Sequence, residues 1–215
     1  MVFIRSCVGE PLKRNVRGSD VMTQRTSFRF WFCISLLAIS AGSAFGSSGV
    51  LHAMRAFQYA EAGGFLAVGR GIAEANQPVI GASYIGLACV LIAAVGYFRT
   101  RTAPPASLIL SASALAFVPF ALFWVAETVL INGLLSARNG NIENASLVRG
   151  LLFIVFAAGV SLSVAWLFAS ALRVKPTFSL KRTIAALALV IGGFITVVVA
   201  LHLRNNWIDR MYTRI

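Results

Sequence analysis

The sequence predicts an all-α, polytopic membrane protein with five transmembrane helices, and three observations predict it. Of its 215 residues, 58% are hydrophobic and only 12% charged, about half the charged share with which a soluble domain covers its surface. The apolar residues gather in blocks of about 20, enough to cross a hydrocarbon core of roughly 30 Å as helix, whereas outer-membrane barrels alternate in short segments. The basic residues, behind a net charge of +12, fall in short runs between those blocks, where they set orientation in the bilayer rather than bind nucleic acid. Disorder, a soluble enzyme and a barrel are excluded.

Taken in order, residues 1–29 form a basic cytoplasmic leader and residues 30–215 a five-helix membrane domain. The first helix covers about 30–51. It resembles a signal sequence in its basic approach and its small-residue end at Ser40-Ala41-Gly42-Ser43-Ala44, but so long a leader favours a retained anchor. The second helix covers 79–98, after a polar stretch at 58–77. The third, 106–131, sits in a long apolar block with one charge, Glu127, and one internal proline, Pro119, so it is expected to tilt, kink or run past the interface. The fourth and fifth cover 151–172 and 184–203.

Orientation follows from the Lys and Arg census. A cytoplasmic N-terminus puts twelve inside, at Arg5, Lys13, Arg14, Arg17, Arg25, Arg29, Arg99, Arg101, Arg173, Lys175, Lys181 and Arg182. Seven remain outside, at Arg55, Arg70, Arg138, Arg149, Arg204, Arg210 and Arg214. The N-terminus is therefore expected inside and the C-terminus outside, and the Ala-rich composition suggests a bacterial cytoplasmic (inner) membrane. Cys7, Cys33 and Cys89 fall in the leader or in spans, without Cys-x-x-Cys or Cys/His spacing, so they are expected as free thiols and no zinc site or iron–sulfur cluster is implied.

Glu127 is the one acid inside an apolar block, flanked by Thr128 and followed about one turn on by Asn132. An ionisable group in hydrocarbon is a functional candidate by default. Two readings stay open: a deep proton-carrying group, or a side chain near the outer interface that reaches water. The histidines, His52 and His202, end the first and fifth helices at similar depth. Paired axial ligation of a haem is conceivable there, but interfacial histidines facing headgroups are the favoured reading, and no cofactor is expected.

Small residues recur on the first helix at Gly42, Gly46 and Gly49 and on the second at Gly81 and Gly86. Such faces let helix backbones approach closely in lipid, where no hydrophobic effect drives association. They serve either an oligomer interface beside a pathway or ordinary packing within the chain.

The run Gly46-Ser-Ser-Gly49-Val50-Leu-His-Ala-Met-Arg55-Ala56-Phe57 resembles the small-residue helix of the MotA/TolQ/ExbB proton-channel family. Gly71-Ile72-Ala73-Glu74-Ala75, with Gly86-Leu87 and Ala93 beyond it, resembles that family's return helix. The resemblance covers residues 42–98 and agrees with the charge-derived direction of both helices. Where the family carries hydroxyls along its proton route, this chain offers Ser47 and Ser48 on the first helix. On the second, the position falls on Ser83 when aligned from Gly86-Leu87 and on Val79 when aligned from Glu74. The resemblance implies a pentamer surrounding a single-helix partner that bears an essential aspartate, while Glu74, expected outside near the return helix, is placed to attract protons or to pair with Arg70. It leaves the helices beyond residue 103 without a counterpart.

The leading expectation is thus a subunit of an ion (proton)-driven motor or stator-type channel, transmitting ion-motive force through a partner helix. The alternative is a non-catalytic structural subunit of a larger membrane complex of respiratory or photosynthetic type, packed against unlike chains. A small transporter using Glu127 and Asn132 comes third. An enzyme is not expected, since no segment assembles an acid, a base and a nucleophile.

Overall fold

The computed structural model describes residues 17–59, 64–100, 103–136, 145–171 and 180–212. They form five helices: α1 (Arg17–Tyr59), α2 (Gly64–Thr100), α3 (Ala106–Ser136), α4 (Ala145–Ala171) and α5 (Leu180–Tyr212). All five are long and apolar enough to cross a membrane. In hydrocarbon every backbone N–H and C=O must be satisfied within the segment, and helices achieve this. The start of α3 is set by Pro104-Pro105: the Pro105 carbonyl accepts from Leu108 N at 2.9 Å and Ile109 N at 3.1 Å, at a helix start where a proline's missing N–H costs nothing. Further on, α3 continues through Pro119, and α2 likewise through Pro78.

Each helix except α3 extends well past its expected limits at one end or both. α1 begins at Arg17, within the basic leader, of which residues 1–16, with Cys7, lie outside the described residues. The polar stretch 58–77 is helical through Tyr59 and again from Gly64. At 1.5 Å per residue, the 43 residues of α1 span about 64 Å, roughly twice a hydrocarbon core.

The helices pack as a ring in the order α1, α2, α5, α3, α4, closed by α4 against α1, with α3 also reaching across to α1 and, slightly, to α2. Among the described residues α1 does not meet α5, and α4 meets neither α2 nor α5. α1 is the central element, with 61% of its apolar window buried against 22% for α4. The core is a set of seams at alternating three- and four-residue steps, the spacing that keeps one helix face toward its neighbours. On α2 the seam is Ile72, Asn76, Val79, Ser83, Gly86, Val90, Ala93 and Tyr97; on α5 it is Val190, Phe194, Val197, Leu201, Asn205 and Ile208.

Small residues close the α1–α2 contact. A Cβ added at Gly42 would collide with Ala82 Cβ. One at Gly46 would lie 2.5 Å from Val79 Cγ2 and 3.1 Å from both Ala75 O and Phe123 Cζ, and one at Gly49 would lie 2.9 Å from Ala75 Cβ. Gly86 faces the Phe194 ring on α5. Gly81 departs from the expected set, with nothing within 4 Å of the added atom. It lies off the seam that runs through Val79, Ser83 and Gly86. Of the two uses open to this stripe, the one visible is packing within the chain.

Candidate functional site

Three helices bring polar side chains together where α2, α3 and α5 adjoin. α3 supplies Trp124, Glu127 and Thr128, which share one face because residues three and four apart are neighbours on a helix. α5 supplies Arg204 and Asn205, and α2 supplies Asn76 from its buried seam. Glu127 is fully buried, with Arg204 as its counter-ion: Nη1 donates to Oε2 at 2.8 Å, and the arginine side chain is 10% exposed. Glu127 thus lies inside the packed bundle. Its second oxygen, Oε1, has no hydrogen-bond partner, although the Asn76 amide approaches the same carboxylate.

The guanidinium is fixed on further sides. Its Nη2 donates to Thr128 Oγ1 at 2.6 Å, its Nη1 also approaches Trp124 O at 3.4 Å, and its plane lies 3.5 Å from the centroid of the Trp124 ring. Thr128 in turn donates to Trp124 O at 2.7 Å. A planar cation held by carboxylate, hydroxyl and aromatic face at once uses features that lysine lacks. Behind it, Asn76 Nδ2 donates to Asn205 Oδ1 at 2.9 Å, tying α2 to α5, while Asn76 Oδ1 is buried without a partner. Two orphaned acceptors, the carboxylate's own Oε1 and Asn76 Oδ1, form an environment that a proton, arriving as a donor, would relieve.

The other sequence-derived candidates are distributed as follows. Asn132 is exposed one turn beyond Thr128 and lines an open groove between α3 and α5. Glu74 is exposed on α2 and pairs with Arg70 at 3.2 Å. Ser47 and Ser83 are buried, but each hydroxyl donates to its own helix, to Ala44 O and Val79 O at 2.7 Å; Ser48 is half-buried. Both histidines are exposed on helices that do not touch, and His202 Nε2 lies 3.1 Å from Tyr84 OH on α2. Cys33 and Cys89 are free thiols.

Sequence reasoning singled out Glu127 and Thr128 but missed Arg204, Asn205 and Asn76. A usable signal existed for the asparagines: Asn205 continues the α5 step pattern beyond Leu201, and Asn76 falls on the α2 pattern between Ile72 and Val79. Arg204 follows Leu203 and precedes Asn205-Asn206-Trp207, so it reads as an interfacial flank until α5 is known to continue to Tyr212. Compared with protein-family models, with curated proteins and with solved structures, the chain shows no match.

Proposed function

We infer that the protein is the membrane-integral subunit of an ion-driven assembly, with its N-terminus in the cytoplasm, and that Glu127 is the group on which the driving proton acts. One observation carries this reading: a fully buried glutamate inside an apolar span, held by one arginine and left with an unpartnered oxygen. A charge enclosed between packed helices is costly at whatever depth it lies, and such groups mark ion pathways and proton relays. Protonation would release Arg204 from its counter-ion and so alter the attachment of α5 to α3. The stator-type arrangement, a pentamer around a single-helix partner, extends this reading. The exposed apolar side chains Phe45 on α1 and Tyr84 and Ile85 on α2 would then meet the partner or a second copy.

A structural subunit of a larger complex is the second reading. It is favoured by Ser47 and Ser83, whose hydroxyls donate to carbonyls of their own helices.

Proton flux into vesicles holding the protein and its co-purifying partner separates the two. Glu127→Gln retains an acceptor for Arg204 and is expected to keep the fold but abolish flux, whereas Glu74→Gln, at an exposed pair of little energetic weight, should at most slow it. Flux unchanged by Glu127→Gln would favour the structural subunit. Orientation is tested separately: cysteines placed at Asn139 and the C-terminus should label from outside, and those at Ser19 and Thr177 from inside. A C-terminus that labels from the cytoplasm would overturn the five-span arrangement.

A further inference from the structure

We propose that the open groove between α3 and α5 is a binding site for one anionic phospholipid, with its phosphate on the unused edge of the Arg204 guanidinium. The groove, about 500 Å³ in volume, lies between two helix faces. On α3 these are positions 124, 128, 131 and 132, and on α5 positions 200, 203, 204 and 207. Its size falls in the range of small-molecule sites.

The donors decide the chemistry. The contacts of Arg204 to α3 use Nη1 and Nη2, toward Glu127, Thr128 and the Trp124 carbonyl. Its Nε–H and the second Nη2–H take no partner among the described residues. That pair forms the fork that binds a phosphate or carboxylate through two parallel hydrogen bonds. Arg204 is nine-tenths buried, yet it is one of the residues that line the groove. Glu127 balances its charge from behind and is fully buried, which leaves an anion in the groove to meet donors rather than the carboxylate.

The surroundings select a lipid over a free anion. Trp124 stacks on the arginine and Trp207 lines the groove beside it, the residue type that sits at headgroup level. Ile131, Ala200 and Leu203 supply an apolar wall suited to an acyl chain. A hydrated inorganic anion gains nothing from that wall, whereas a phosphodiester with a chain attached satisfies both halves of the groove. The site uses donors of Arg204 other than the Nη1 that meets Glu127.

Native mass spectrometry of the full chain in neutral detergent, with added phosphatidylglycerol, tests this. One phosphatidylglycerol should be retained per chain and should raise the thermal unfolding temperature, while inorganic phosphate should do neither. Arg204→Lys keeps the charge but loses the fork and should weaken retention about tenfold, the effect of losing roughly 1.4 kcal/mol. Ala200→Trp fills the groove while leaving both members of the ion pair in the sequence and should weaken it at least as much, so the test stands even if Arg204→Lys misfolds. Three results would overturn the proposal: retention unchanged in Ala200→Trp, equal retention of phosphatidylcholine or diacylglycerol, or equal protection by inorganic phosphate.

Discussion

Replacing Arg204 with alanine should destabilise the protein by about 3–5 kcal/mol, because it leaves the Glu127 carboxylate buried without a counter-charge. Glu127 is fully enclosed and cannot turn to water, and the removed guanidinium also takes its bond to Thr128 and its stack on Trp124 with it. Glu127→Ala should cost less, since the surviving Arg204 lies against the open groove and its long stem can carry the charge outward. The double variant Glu127→Leu, Arg204→Met should regain most of the loss, as apolar pairs of similar volume commonly replace buried ion pairs without penalty. Denaturant unfolding in detergent, followed by tryptophan fluorescence, measures all three. A double variant as unstable as the sum of the two singles would mean that the residues do not act as a pair.

The second large effect is steric. Gly46→Leu should separate α1 from α2, because even its Cβ would lie 3.1 Å from the Ala75 carbonyl oxygen, which cannot move unless α2 moves, and equally close to Phe123 on α3. Overpacking of this kind costs about 1–3 kcal/mol and more where backbone must shift, and here the rest of the leucine side chain has no free volume to enter. Gly81→Leu on the same helix pair is the matched control: its Cβ meets nothing within 4 Å, so a change within about 0.5 kcal/mol is expected. Size-exclusion profiles and thermal unfolding of the two variants give the comparison. Equal tolerance would remove the case that close backbone approach holds these helices together.

The five spans were legible because hydropathy over about 20 residues is a strong signal and Lys and Arg punctuate it. Their ends were not. The stretch around Asn76 looks like a loop by polarity, yet it belongs to α2, where Asn76 turns into the bundle and donates to Asn205. Glu127 stood out as a lone acid, whereas its partner lies 77 residues away, and nothing local in the chain says that α3 and α5 will be neighbours. Gly42, Gly46 and Gly49 were legible as a face because their spacing matches one side of a helix. Gly81 was grouped with Gly86 by residue type alone, although the step of five residues between them turns it away from α1.

That 77-residue separation also sets a schedule for the protein's synthesis. At a translation rate of roughly 5–20 residues per second, Glu127 is made roughly 4–15 s before Arg204. During that interval the carboxylate has neither its cation nor the α5 face that encloses it, while the α1–α2 hairpin is already able to zip through its small residues. Ribosome-stalled chains ending before α5 should therefore keep Glu127 next to water or the insertion machinery, detectable by crosslinking from that position. Chains that include α5 should lose that crosslink, so α5 is the helix that seals the only buried charge among the described residues.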